Sequence, residues 1–92
     1  MVQVSDIDLE LLQEYASLLF TIDEIALMLD CKESELRREV RNKYSEVSRC
    51  YHKGKLLTQV KLRKQTKLFA EKGSPQAEQN MKDLYQKQLS NE

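Results

Sequence analysis

The chain has little of what irregular or membrane-embedded proteins need: two glycines, one proline, no tryptophan and no long apolar run. Glycine and proline concentrate in turns, so their scarcity favours long helices over many short strands. No apolar stretch approaches the roughly 20 residues that span a bilayer, and the N-terminus lacks a basic region followed by an apolar segment. The composition therefore predicts a mostly helical, cytoplasmic protein with no membrane partner.

The two cysteines and the single histidine form no metal-binding or catalytic pattern. Cys31 and Cys50 do not make a Cys-x-x-Cys pair, and no second histidine accompanies His52, so a zinc site lacks ligands. Two unpaired thiols fit a reducing compartment, with small buried side chains as their expected role. Glycine-rich phosphate loops and nucleophile motifs are also missing. We expect no enzymatic activity, no cofactor, no metal and no small-molecule substrate.

The net charge is zero, but the charges are segregated along the chain. Residues 5–35 carry nine acidic side chains and one basic one, whereas residues 36–72 carry twelve basic and three acidic ones. Such a basic segment suits a phosphate-binding surface. It equally suits the solvated side of a long helix that pairs with the acidic half. Charge alone leaves both interpretations open.

The run that begins at Thr21 carries the most informative pattern. Thr21 and Glu24 match a capping box, which predicts the start of a helix. One helical face is formed by Ile22, Ile25, Ala26 and Leu29. Asp30 tolerates the positive φ of a tight turn, and a second helix is predicted from near Lys32 to about Asn42. This is the layout of a helix-turn-helix, which lays its second helix in the DNA major groove.

The second helix of this unit is predicted to present a basic outer face. Its predicted core residues are Leu36, Val40 and Tyr44. The residues expected in or beside the major groove are Lys32, Ser34, Arg37, Arg38 and Arg41. The residues expected to contact phosphates are Lys43, Arg49 and Lys53. Arginine pairs bidentately with a guanine edge, and serine bonds to bases or phosphates. The alternative is a solvated helix in a module that binds proteins.

A helix upstream of this unit completes a predicted three-helix core. Ser5 and Asp8 mark its start. The predicted apolar stripe comprises Ile7, Leu11, Tyr15, Leu18 and Leu19, and it is widened by Leu9 and Leu12. Packing this stripe across the next two helices would bury it.

A long basic helix is predicted downstream. Ser45 can cap it, and it runs toward Lys72. Gly54 either bends or breaks this helix, or it lets another helix approach closely. The residues that predict its end and the start of a last helix are Gly73, Ser74 and Pro75. The last helix is expected to fold back along the long one and to fray over residues 86–92.

Ninety-two residues suffice for one small domain. We therefore predict an all-α protein with a single domain over residues 1–92. Its first part is an N-terminal trihelical helix-turn-helix at residues 5–44. Its second part is the long basic helix with the C-terminal helix folded back as a hairpin, at residues 45–89.

Three runs in the C-terminal half follow one another in a definite order. They are Tyr51-His52-Lys53-Gly54-Lys55, then Leu62-Arg63-Lys64-Gln65, then Leu68-Phe69-Ala70-Glu71-Lys72-Gly73-Ser74-Pro75-Gln76-Ala77. In order and spacing they resemble the segment that follows the helix-turn-helix in small-terminase-like proteins of tailed bacteriophages and prophages. With Ile25-Ala26 and Leu36-Arg37-Arg38, the resemblance covers about residues 20–85.

The resemblance implies a homeodomain-like domain that recognises double-stranded DNA at the start of genome packaging. It further implies a large terminase ATPase as partner and ring-like self-association, as in many members. Asp30 stands where the family commonly has glycine, and Lys32 stands where it has an Asp or Ser cap. Full small subunits are usually longer, so a small transcriptional regulator or a protein-interaction module on the same scaffold stays open as an alternative.

Overall fold

The computed structural model describes residues 1–91, and its regular elements there are helical apart from one isolated bridge between Val2 and Cys31. The α-helices are α1 (Leu9–Ser17), α2 (Ile22–Leu29), α3 (Glu33–Arg41), α4 (Glu46–Glu71) and α5 (Pro75–Asn91). The all-α prediction is confirmed. None of these described helices is both long and apolar enough to cross a bilayer. The chain divides into two compact units, Met1–Thr58 and a second one that begins at Gln59.

α2 begins and ends where local side-chain chemistry predicts. The Glu24 amide donates to the Thr21 hydroxyl at 3.2 Å, and the Thr21 amide donates to the Glu24 carboxylate at 3.0 Å. Asp30, with φ 55° and ψ 42°, has the left-handed conformation that the turn requires. The Asp30 carbonyl accepts from the Val2 amide at 2.7 Å, which ties the N-terminal residues to the turn. Lys32 makes no side-chain cap for α3.

α1 begins at one of the two predicted caps. The Asp8 carboxylate accepts hydrogen bonds from the backbone amides of Glu10 and Leu11, at 3.0 and 3.2 Å. Ser5 lies in a single turn of 3₁₀-helix before α1. An acidic cap satisfies first-turn amides and also interacts favourably with the helix dipole.

The predicted apolar stripe of α1 is wrong at Leu11, which is exposed, and at its C-terminal end. The helix stops at Ser17, and Leu19 adopts a φ of 66°. This turn takes Leu18 and Leu19 out of the helical register, and they are 61% and 59% exposed. The fully buried positions of α1 are Leu12 and Ala16 instead. Helical spacing identifies a common face only while the helix continues.

The first unit has one hydrophobic core. Its buried members are Ile7, Leu12, Ala16, Ile25, Ala26, Cys31, Leu36, Val40, Val47 and Tyr51. α2 packs against both α1 and α3. The predicted core positions Leu36 and Val40 of α3 are confirmed. The prediction for Tyr44 is wrong, because this residue follows the end of α3 and is 86% exposed.

α4 is a continuous helix, and Gly54 does not break it. Its start is capped as predicted, since the Ser48 amide donates to the Ser45 hydroxyl at 3.0 Å. The Ser45 hydroxyl in turn donates to the carbonyl of Glu39 at 2.7 Å, which joins the start of α4 to the end of α3.

Gly54 lies at a close approach between α4 and α1. A β-carbon at this position would lie 2.9 Å from the β-carbon of Ala16 and 3.1 Å from the amide nitrogen of Ser17. One turn later, the Thr58 hydroxyl donates to the Ser17 carbonyl. The first unit therefore includes the beginning of α4 and extends through Thr58.

The second unit consists of the end of α4, a turn and α5. As predicted, Gly73 ends α4 with a φ of 93°, and the Ser74 amide donates to the Phe69 carbonyl at 3.0 Å. The Ser74 hydroxyl accepts from the Ala77 amide at 3.3 Å, and Pro75 is the first residue of α5.

α5 lies beside α4 within the second unit. Leu62 of α4 and Leu84 of α5 line the same surface groove. The predicted fraying is not found over residues 86–91, because α5 continues to Asn91. The part of that prediction that concerns Glu92 lies outside the described residues.

Candidate nucleic-acid interface

The outer surface of α3 is divided by charge. Ser34, Arg38 and Arg41 are exposed. At about 100° per residue, these three side chains share one side of the outer face. Glu35 and Glu39 lie on the other side and are half-buried. An anionic partner can therefore contact the basic side of α3 without facing the two glutamates.

Arg37, a predicted groove residue, is held by two carboxylates. Its guanidinium forms ion pairs with Asp23 of α2 and, at 3.1 Å, with Glu33 of its own helix. The hydrogen bond that Arg37 donates to the Glu33 carboxylate is the main cause that raises the pKa of Arg37 above its usual value, and the charge of Asp23 raises it further. Arg37 thus links α2 to α3 across the turn.

The other basic residues predicted for the major groove are not held in this way. Among the residues that the structure describes, Lys32, Arg38 and Arg41 form no ion pair with a carboxylate. All three are exposed, and Lys32 occupies the N-cap position of α3 in an extended conformation. Their charges are accessible to phosphates or base edges.

A shallow groove between the α3–α4 loop and α4 brings together the three predicted phosphate contacts. We name it the basic groove, and its lining residues are Lys43, Ser48, Arg49, His52, Lys53 and Leu56. Lys43 comes from the loop, whereas Arg49 and Lys53 are one helical turn apart on α4. No carboxylate belongs to this set of lining residues. Cations from two elements therefore converge without an internal counter-charge.

Two residues beside these cations were not predicted as site residues. Tyr44 is exposed, and the Lys43 ammonium lies 5.2 Å from the centroid of its ring. His52 lines the basic groove. The available signal for His52 was its helical spacing, three residues after Arg49 and next to Lys53, which places it on the basic side of α4.

The two thiols do not contribute to the interface. Cys31 is buried, and burial raises the pKa of its thiol, so it is a poor nucleophile and metal ligand. Cys50 is half-buried, and both cysteines are free. Within residues 1–91, no cluster of three or more His, Cys, Asp or Glu side chains is arranged to hold a metal ion.

No protein-family model, curated protein or solved structure matches the chain. The function is therefore inferred from the charges and contacts of α3 and the basic groove. All of the predicted DNA-binding residues lie in the first compact unit, Met1–Thr58.

Proposed function

We propose that the chain is a sequence-recognising protein that binds double-stranded DNA, with α2, the Asp30 turn and α3 serving as a helix-turn-helix. The observation that carries this proposal is the presence, in one compact unit, of the exposed basic side of α3 and a basic groove without carboxylates. In a helix-turn-helix, exposed side chains of the second helix contact base edges. Cations around that helix bind phosphates and orient the protein on the duplex.

The predicted residues divide into two sets with different roles. The set on α3 that contacts or borders base edges comprises Lys32, Ser34, Arg38 and Arg41. The set that contacts phosphates comprises Lys43, Arg49 and Lys53. Arg37 supports the first set by joining α2 to α3, and it is a positioning residue in this scheme.

Titration of a labelled, mixed-sequence duplex at several salt concentrations tests DNA binding. We expect affinity at low salt that falls steeply as salt rises, because phosphate contacts release counterions. Lys53→Ala should reduce the slope of log affinity against log salt by about one. Lys55→Ala is the matched control, since the Lys55 ammonium lies 4.7 Å from the centroid of the Tyr51 ring rather than in the basic groove. Undetectable binding by the folded protein at low salt would refute the proposal.

Arg38 and Arg37 provide a sharper comparison. Arg38→Ala should weaken binding about tenfold and reduce discrimination between sequences, since a bidentate base contact is worth about 1–3 kcal/mol. Arg37→Ala should weaken binding less and slightly lower the melting temperature, because its guanidinium is engaged by Asp23 and Glu33. If folded Arg38→Ala binds as tightly as the parent, the assignment of Arg38 is wrong.

The resemblance of residues 20–85 to terminase small subunits supports a role in a phage or prophage element. In that role the chain would recognise viral DNA for genome packaging, with a large terminase ATPase and further copies of itself as partners. Light scattering measures self-association. An adjacent gene for a large ATPase–nuclease would favour packaging, whereas its absence beside phage regulatory genes would favour a small transcriptional regulator.

A protein-interaction module is the second candidate, and exposed leucines in the first unit favour it. Leu18, Leu19 and Leu27 are 61%, 59% and 82% exposed. Contiguous exposed apolar patches are typical of protein interfaces, and Leu18 and Leu19 are adjacent in the chain. In this alternative the basic groove binds an acidic protein, so the salt titration with duplex DNA separates the two candidates.

A further inference from the structure

His52 lies among the cations of the basic groove, and its imidazole ring becomes a cation when it is protonated. The charged groups that face it are Lys43 from the α3–α4 loop and Arg49 and Lys53 from α4. Tyr51 is a further titratable neighbour, whose ring meets the imidazole edge-on with centroids 5.3 Å apart, and the Lys55 ammonium lies 4.7 Å from the centroid of the same Tyr51 ring. No carboxylate lines the groove, so an anion bound there would supply the counter-charge for a positively charged His52.

The hydrogen bond of His52 determines which ring nitrogen is free. Its Nδ1 lies 2.8 Å from the carbonyl oxygen of Ser48. A carbonyl oxygen only accepts, so this contact assigns the hydrogen to Nδ1, and the contact of Nδ1 with the Ser48 hydroxyl is longer, at 3.4 Å. In the neutral ring, Nε2 then has a lone pair and no hydrogen. A phosphate oxygen would be repelled by that lone pair.

Protonation of His52 turns this repulsion between Nε2 and a phosphate oxygen into attraction. The imidazolium has a hydrogen on both nitrogens, so Nε2 becomes a donor while Nδ1 keeps its bond to Ser48. A charged donor to a phosphate oxygen makes a stronger hydrogen bond than a neutral one. A phosphate bound in the groove would stabilise the extra positive charge.

We propose that His52 is a further phosphate-binding residue, which binds the DNA backbone as an imidazolium through Nε2, so that DNA binding is coupled to the uptake of one proton. This inference rests on the proposed DNA binding and adds a contact and a pH response to it. By linkage, affinity rises as pH falls, by at most about tenfold per pH unit for one proton. Over the range in which histidine changes charge, about pH 8 to pH 6, we expect a total gain of about tenfold.

The test measures the affinity of the full chain for a short mixed-sequence duplex at about pH 6 and pH 8, at constant ionic strength. We expect the parent to bind about tenfold more tightly at the lower pH. His52→Gln keeps a neutral donor and should bind with nearly the same affinity at both pH values. Lys55→Gln, outside the groove, should keep the full pH response of the parent. Both variants retain every other ionisable group that the parent and the other variant share, so a difference in pH response is assigned to His52.

The outcomes separate this inference from the proposed function. If the affinity of His52→Gln for DNA rises with falling pH as much as that of the parent, His52 is not the group that takes up the proton. The inference then fails while the proposed DNA binding stands. If the parent binds no duplex at low salt at either pH, the proposed function fails and the inference fails with it.

A second measurement needs no substitution. His52 is the single histidine of the chain, so nitrogen NMR of labelled histidine reports its ring alone. The free protein at about pH 8 should show the form protonated at Nδ1, and added duplex should shift the ring toward imidazolium near pH 7. A ring that stays neutral with duplex bound at about pH 6 would overturn the proposal.

Discussion

A β-carbon at Gly54 would lie 2.9 Å from the β-carbon of Ala16, so these two residues set how closely α4 approaches α1. The carbonyl oxygen of Gln13 is another close neighbour of the same point. A backbone oxygen cannot swing aside as the end of a flexible side chain can. Glycine weakens a helix interior by up to about 1 kcal/mol relative to alanine, and here close packing requires it.

Gly54→Ala should lower the free energy of unfolding by about 1–2 kcal/mol. The overlap with α1 costs about 1–3 kcal/mol and outweighs a helix-propensity gain of up to about 1 kcal/mol. Urea denaturation followed by circular dichroism measures the change. Lys53→Ala is the matched control, because it is the exposed neighbour on α4 and should leave stability nearly unchanged. A Gly54→Ala protein as stable as the parent would show that α1 and α4 are not in this contact.

Lys32→Asp should stabilise the protein while it weakens DNA binding. Lys32 has the extended backbone of an N-cap but makes no capping hydrogen bond, whereas Thr21 caps α2 through its hydroxyl. An aspartate cap is worth about 1 kcal/mol and also favours the helix dipole. The lost cation and new anion beside the proposed DNA surface should reduce affinity.

Lys32→Ala separates the two effects, since it removes the charge without adding a cap. It should weaken DNA binding with little gain in stability. Urea denaturation and duplex titration on the same samples give both quantities. If Lys32→Asp neither raises the free energy of unfolding nor weakens DNA binding, Lys32 has neither role.

The stability of the protein should decrease in alkaline solution because of Cys31. Burial raises the pKa of its thiol in the folded state. The unfolded chain then loses its thiol proton first as pH rises, so the native state holds more protons and stability falls. This contribution is fully present below about pH 8 and is lost as pH rises beyond about pH 9.

Unfolding free energies at about pH 7.5 and pH 10 measure this effect. Cys31→Ala should lose part of the alkaline decrease, although cavity formation lowers its stability at both pH values. Cys50→Ala is the matched control and should keep the parent's decrease, since Cys50 is only half-buried. An identical decrease in the parent and Cys31→Ala would rule out the buried thiol as its cause.

Helix boundaries were largely predictable, because the interactions that create them join residues close in sequence. Thr21 and Glu24 cap α2, Ser45 caps α4, and Gly73 ends it, all as predicted. The left-handed conformation of Asp30 followed from the same local chemistry. Such interactions do not depend on how a helix packs against the other helices.

The buried faces were harder to predict near helix ends. Leu19 and Tyr44 continue the apolar spacing of α1 and α3, but both lie beyond the last helical residue and are exposed. Leu12 is fully buried although the predicted stripe was centred elsewhere. Spacing indicates which residues share a face, and packing decides which face is buried.

The proposed site likewise combines features that the sequence predicted with features that depend on how the helices pack. Basic spacing on α3 and α4 predicted that Arg38, Arg41, Arg49 and Lys53 lie on outer helix faces, and all four are exposed, since charge and helical period are properties of the sequence. The engagement of Arg37 by Asp23 could not be predicted, because it joins side chains on different helices.

The sequence by itself determined the all-α fold, most helix boundaries and the basic segment that was predicted to bind DNA. Only the tertiary structure decided that Gly54 is a helix contact and that Lys43 and His52 share a groove. The physical reason is range: caps and helical faces depend on neighbours within a turn or two. Close approach and convergent charge depend on how separate helices pack.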